Sequence, residues 1–372
     1  MTLTWAQVGA WRMARHHLHE RAPRADLLDV VSDVCGLHAQ LMSSAELTAW
    51  ARVADLEPGA VATALAEDRT LVKSWAMRGT LHLLRSSEYG LWLGGLSTYR
   101  HYLKPAWSKG FGISQNELGR MIAAVAEALD GRSLTREELA AEVARITASP
   151  DLADKLLGSW GSTLKPATYQ GGLCFGPTRG RNVTFVRPDQ WLPGLAVEPA
   201  DDAMAAITRR FLHVNGPATR DDYARWFAMS PAAAAKRIVA LGEDATEVDV
   251  AGVPMWMLAA DVEAATTCQP AHAVRLVPAF DQYVVASTRQ ADNLLPGPLR
   301  ARVYRPQGWL SPVLLVDGRM AGVWRHERKG TRLAVTIDPF TKLPKWARTG
   351  AEAEAGALGR FLDAEPEVTW AG

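Results

Sequence analysis

Apolar residues recur at helical spacing through the first two-thirds of the chain. In residues 4–19, Trp5, Val8, Trp11 and Leu18 fall near one stripe, with Met13 beside it. In residues 26–37, Leu27, Val30, Val31 and Val34 repeat the pattern. Spacing by three and four predicts amphipathic helices, and residues 44–53 and 59–68 continue the series. The period then changes. Residues 71–75 and 80–84 read as two strands joined near Met77-Arg78-Gly79. Helices followed by a β-hairpin are the order of a winged helix.

That order recurs. Leu134-Thr135-Arg136-Glu137-Glu138-Leu139 resembles Ala218-Thr219-Arg220-Asp221-Asp222-Tyr223. In both, a Thr three residues before an acid can satisfy helix-start amides reciprocally and open a helix. The first copy ends in strands at 173–176 and 182–186, around Gly180. The second continues into a helix at 231–241 and strands at 247–250 and 255–258, linked by Ala251-Gly252. After about residue 271 the texture is β: 274–277, 283–286, 313–316, 320–325 and 332–337 read as strands, with Asp317-Gly318 as a tight hairpin turn. A small β-barrel or curled sheet is expected there, closed by a helix at 351–362. The expected fold class is α+β, mainly α. The expected divisions are winged helices at 1–95, 96–200 and 201–265, then the β-barrel with its closing C-terminal helix at 266–372.

Composition narrows the function classes. A chain of 372 residues exceeds one ordinary core, in line with several domains. Cys35, Cys174 and Cys268 are few and far apart, which predicts a reduced, cytoplasmic chain without a disulfide framework. Neither a secretion signal nor an 18-residue apolar span is visible, so no membrane association is expected. Net charge is only +1, yet residues 275–348 hold 13 Lys or Arg against 5 Asp or Glu, a local surplus of eight. A chain near neutrality can therefore still offer one basic face to phosphates.

The chemistry candidate lies in Cys35-Gly36-Leu37-His38-Ala39-Gln40-Leu41. Two hydrogen-bonding side chains, His38 and Gln40, sit two apart in an apolar run, with no metal-ligand spacing and no adjacent nucleophile. On extended backbone they share one side; on a helix they would splay by about 200°. Such a pair can hold and polarise a water. Taken alone, His38 reads first as a satisfied, partly buried histidine at a helix end, and Gln40 as a capping or surface amide.

Four stretches occur in order: Gly36-Leu37-His38-Ala39-Gln40, residues 74–82 (Ser-Trp-Ala-Met-Arg-Gly-Thr-Leu-His), Leu276-Val277-Pro278-Ala279-Phe280-Asp281-Gln282-Tyr283 and Gly322-Val323-Trp324. Together they resemble the AlkZ-like winged-helix DNA glycosylases, also grouped as helix-turn-helix family 42, from Thr4 to about Phe361. The resemblance implies tandem winged helices and a β-barrel in a C-shaped arrangement around double-stranded DNA carrying alkylated guanine. It implies monofunctional hydrolysis of the N-glycosidic bond of N7-alkylated purines, by a monomer, with no cofactor and no metal. Family members carry Gln-x-Gln or, in a general repair branch, Gln-x-Asp. His38 departs from both and resembles a His-x-Gln subgroup associated with bulky, intercalating guanine alkylators and self-resistance to them. His38 and Gln40 are then the catalytic candidates. An N7-alkylated guanine leaves as a neutral base, so no strong acid is required. An imidazole, with an ordinary pKa near neutrality, can take the water's proton.

Arg78, Thr80 and His82 would alternate along a wing strand, which reads either as a wing held by Trp75 with a solvated Arg or as a contact with a DNA phosphate or the lesion. Arg319, Arg325, Arg328, Lys329 and Arg332 lie at a hairpin that reads either as a solvated sheet face or as a DNA contact. Asp281 is a possible active-site support near the sugar, or a buried capping group. His16-His17-Leu18-His19 lacks partners at ligand spacing and is not expected to bind metal. Three readings stay open: a glycosylase for bulky N7-alkylguanine adducts, one for small N7-alkylpurines or interstrand crosslinks, and a non-enzymatic DNA-binding regulator.

Overall fold

The computed structural model describes residues 1–159, 161–289 and 291–371. The chain forms two compact units, Met1–Val61 with Thr208–Gly372, and Ala62–Ile207. The class is α+β, as expected. The units cut across the boundary expected at residue 95, and pairing shows why within each of them.

In the discontinuous unit, helix Trp5–Arg15 opens with a capping box between Thr4 and Gln7. The strand before it, Thr2–Leu3, runs parallel to Asp249 and Val250. It extends the hairpin formed by Ala245–Val250 and Val253–Leu258. Leu3, Val8 and Trp11 bury against Val248, Val250, Met255 and Met257 in one apolar cluster. The N-terminal helix thus completes the core of the last helix-and-hairpin repeat, because its apolar stripe has no other sheet face in its own stretch of sequence. That repeat starts as read: Thr219 and Asp222 form the capping box of helix Arg220–Phe227.

The C-terminal part of this unit departs from expectation. Its five-stranded sheet runs in the order Val274–Val277, Val313–Val316, Arg319–Lys329, Arg332–Pro339, Glu365–Trp370. The first four pair antiparallel and the last joins in parallel. The sheet is open, with Val274–Val277 and Glu365–Trp370 as its outer strands, so no closed barrel forms among the described residues. Helix Lys345–Phe361 covers both outer strands instead. It approaches so closely that a Cβ on Gly350 would stand 2.7 Å from Val274, and one on Gly359 2.7 Å from the Ala364 carbonyl. The hairpin turn at Asp317-Gly318 is as predicted, with both residues left-handed at φ 47° and 79°. The strand expected at 283–286 is instead helix Gln282–Ala286, started by the Asp281 carboxylate accepting from the Tyr283 amide.

In the second unit, Leu71–Trp75 and Leu81–Arg85 form the predicted hairpin. Its first strand pairs with Cys174–Phe175, and the sheet continues through Thr184–Val186 to Leu134–Thr135. Trp75 seals this sheet against Phe175 and Phe185, with ring centroids 4.8 and 6.1 Å away. The hairpin read as the wing of the first helices therefore shares a sheet with the strands of the next repeat.

Candidate active site

The His38 segment is built by a sharp exit from a helix. Helix Leu27–Asp33 ends, and Cys35 and Gly36 turn left-handed at φ 61° and 89°. For Gly36 that conformation costs no side-chain clash. The chain then runs extended as strand Leu37–His38. Leu37 and Ala39 are fully buried, whereas Gln40 is exposed and His38 is 4% exposed. The strand ends at His38, and Gln40 stands two residues on at a bend, so the segment carries a buried imidazole followed by an exposed amide.

Three consecutive residues of the segment 276–283 fix this loop. The Gln282 amide donates to the Gly36 carbonyl at 2.5 Å, holding the backbone two residues before His38. Asp281 makes a two-pronged ion pair with Arg52, both oxygen–nitrogen distances 2.7 Å, with both side chains at 0% exposure. Arg52 also donates to the Thr48 carbonyl, one turn back in its own helical segment. The Tyr283 hydroxyl donates to the Gly318 carbonyl at 2.7 Å, tying the same turn to the sheet hairpin. Trp324, of the motif Gly322-Val323-Trp324, donates its indole N–H to the Val277 carbonyl at 2.8 Å. The family-like stretches in this unit thus act as a scaffold around one loop.

The last element is aromatic. Phe280, left-handed at φ 61°, stacks on the His38 imidazole with centroids 4.8 Å apart and planes 7° apart. This stack sets the plane of the ring and shields one of its faces.

Asp281 is corrected as an acid beside the sugar. It is wholly buried and both oxygens are committed to Arg52, so it has no face for substrate. It supports the site indirectly, by fixing the turn that carries Phe280. His82 is likewise corrected as a DNA contact: it is fully buried, with Nδ1 3.0 Å from the Thr80 carbonyl. The three residues do not alternate along a strand. Arg78 sits in a left-handed turn at φ 61°, its amide donating to the Tyr99 hydroxyl, and the Thr80 hydroxyl donates to the Met77 carbonyl. Arg78 and Thr80 are half-buried.

The basic hairpin is exposed as expected. Arg319, Arg325, Arg328, Lys329 and Arg332 all face solvent on strands Arg319–Lys329 and Arg332–Pro339. Lys329 pairs with Glu327, Arg332 pairs with Glu367, and Arg328 donates to the Gly330 and Asp363 carbonyls. The histidine cluster serves packing. His16 is buried with Nε2 3.1 Å from Asn215, and His17 lies 2.8 Å from Asp33. Burial, with Arg52 and Arg12 nearby, pushes the His16 pKa well below its ordinary value. Among the described residues no group of three His, Cys, Asp or Glu side chains is gathered as a metal site.

Sequence reading missed Arg52, Gln282 and Phe280 as the residues that hold this loop. Phe280 and Gln282 lay inside a quoted motif but without a partner to reveal their task. Arg52 carries no local signal, since its partner is 229 residues away.

A loop-held imidazole and amide, a basic sheet face and helix-and-hairpin repeats define a DNA glycosylase once set beside known proteins. Residues 31–361 match the family described as DNA glycosylase AlkZ-like. A curated relative, the interstrand DNA cross-link repair glycosylase of Streptomyces sahachiroi, is 36% identical over 369 residues, covering 97% of each chain. The solved structure of Streptomyces sahachiroi DNA glycosylase AlkZ is similar over 100% of both chains, with a TM-score of 0.90 and 35% identity. The chain belongs to the AlkZ-like DNA glycosylase family.

Proposed function

We propose that this DNA glycosylase releases bulky N7-alkylguanine from double-stranded DNA as a monomer, in self-resistance to an alkylating natural product, with His38 and Gln40 as its catalytic pair. One observation supports the reading: an anchored segment carries the His38 imidazole, stacked on Phe280, and two residues on the exposed Gln40 amide.

N7-alkylation leaves guanine positively charged. When the C1′–N9 bond breaks, its electron pair goes to the base, which departs neutral. Water attacks C1′ and loses a proton. The His38 imidazole accepts that proton and later releases it to solvent. The Gln40 side-chain oxygen accepts a hydrogen bond from the same water and so orients it. The Phe280 stack keeps the imidazole from rotating away, so little ordering is needed during reaction. Arg319, Arg325, Arg328, Lys329 and Arg332, with Arg78 and Thr80, would contact the DNA backbone and supply affinity without sequence preference.

The relative named for interstrand cross-link repair favours a second reading, in which this chain also unhooks crosslinks joined through guanine N7. Incubation with duplexes carrying a bulky N7 adduct, N7-methylguanine or an N7 crosslink, followed by hot alkali, tests both. Strand breaks at the modified guanine support the proposal. Intact strands on all three, with tight sequence-specific binding to undamaged DNA, would oppose it.

A further inference from the structure

An aromatic path leads outward from His38. Its imidazole stacks on Phe280, and Phe280 meets Trp309 with centroids 4.9 Å and planes 74° apart. The centroid steps of 4.8 and 4.9 Å put the indole no more than 9.7 Å from the imidazole. Exposure rises along the path, from 4% at His38 and 8% at Phe280 to 47% at Trp309.

The loop bearing Trp309 is closed on itself. Gln307 and Gly308 are both left-handed, at φ 59° and 77°. The Arg305 amide donates to the Trp309 carbonyl at 2.8 Å, and the Trp309 amide to the Pro306 carbonyl at 3.3 Å. Tyr304 and Leu310 bridge the base of the loop. An indole is costly to leave in water, yet this backbone holds it half-exposed. Arg305, four residues earlier, is exposed and makes no ion pair among the described residues. A large flat ring and a cation on one short loop, with the ring no more than 9.7 Å from the His38 imidazole, match a planar aromatic group attached to DNA.

We propose that Trp309 is the specificity-determining residue for bulky adducts: its indole stacks on the planar polycyclic part of the lesion while His38 and Gln40 act at the sugar. This rests on the N7-alkylguanine reading above. A methyl lesion has no ring to stack, so Trp309 distinguishes the two substrates by aromatic contact. Arg305 contributes a phosphate contact to either.

The test compares kcat/KM on a duplex bearing a polycyclic N7-guanine adduct with that on an N7-methylguanine duplex, for wild type, Trp309→Ala, Trp309→Phe and Trp309→Leu. The ratio of planar adduct to methyl falls about 10- to 100-fold in W309A, the range of base–aromatic stacking, mainly through KM. W309F recovers much of the ratio and W309L does not. Thermal melting of each variant checks folding, and the ratio is independent of the fraction folded. Equal loss on both substrates, or recovery by Leu as good as by Phe, overturns the stacking role. Wild type that releases neither base would instead overturn the function on which the inference rests.

Discussion

The His38 loop and the basic hairpin at residues 319–332 answer different problems. The loop is held by the wholly buried Asp281–Arg52 pair, the Gln282–Gly36 hydrogen bond and the Phe280 stack. The hairpin's ion pairs, Lys329–Glu327 and Arg332–Glu367, join side chains 66–79% exposed. Exposed pairs contribute about 0–1 kcal/mol and are screened by salt, while a buried charge left without its partner costs several times more. In the proposed function, chemistry is therefore placed where position is over-determined, and grip on DNA where side chains can follow a flexible, charged backbone. Damage to the two regions should separate: the first costs stability and turnover, the second costs affinity in a salt-dependent way.

The sharpest way to break this contrast is at Asp281. Asp281→Asn leaves Arg52 buried and uncompensated and should destabilise the fold by about 3–5 kcal/mol, read from urea unfolding. A loss below about 1 kcal/mol would mean that the pair is not the anchor. His16 gives a smaller, pH-dependent effect. Burial keeps it neutral in the fold, so below the ordinary histidine pKa of about 6.5 the unfolded chain binds a proton that the folded chain refuses. Stability contributed by this group is complete above that pH and declines as pH falls from there toward the depressed folded value, by up to about 1.4 kcal/mol per pH unit. His16→Gln should flatten this acid-side decline in melting curves taken at successive pH values; an unchanged slope would exclude His16 as its source. The smallest stability change belongs to the hairpin. Arg319→Ala and Arg325→Ala should alter stability by under about 0.5 kcal/mol, yet each should reduce the slope of log affinity against log salt by about 0.9 for a lost phosphate contact. Unchanged slopes would leave the hairpin a solvated sheet face.

What the sequence revealed was local. The capping box at Thr219 and Asp222, the left-handed turn at Asp317-Gly318 and the apolar stripe of Trp5–Arg15 each depend on neighbours a few residues away. What it concealed was pairing at a distance. Val284 and Val285 favour a strand, but the Asp281 cap and tertiary burial impose a helix. Glu365–Trp370, whose exposure alternates only weakly, was not read as a strand, yet it joins the C-terminal sheet in parallel beyond a helix. Thr2–Leu3 seemed part of an N-terminal domain until it paired with Asp249 and Val250. The same limit applied to the site. His38 and Gln40 were legible as a motif with a period-two spacing, whereas Asp281 was legible only as an acid and not as the partner of Arg52.

The most direct test is single-turnover base release from a duplex carrying a bulky N7-alkylguanine by His38→Ala, Gln40→Ala and the double variant, with circular dichroism confirming the fold. Each single change should slow release about 100-fold or more, the typical contribution of a positioned proton acceptor. The double variant should add little to the worse single, because both groups act on one water. Near-wild-type release by the double variant would contradict the account.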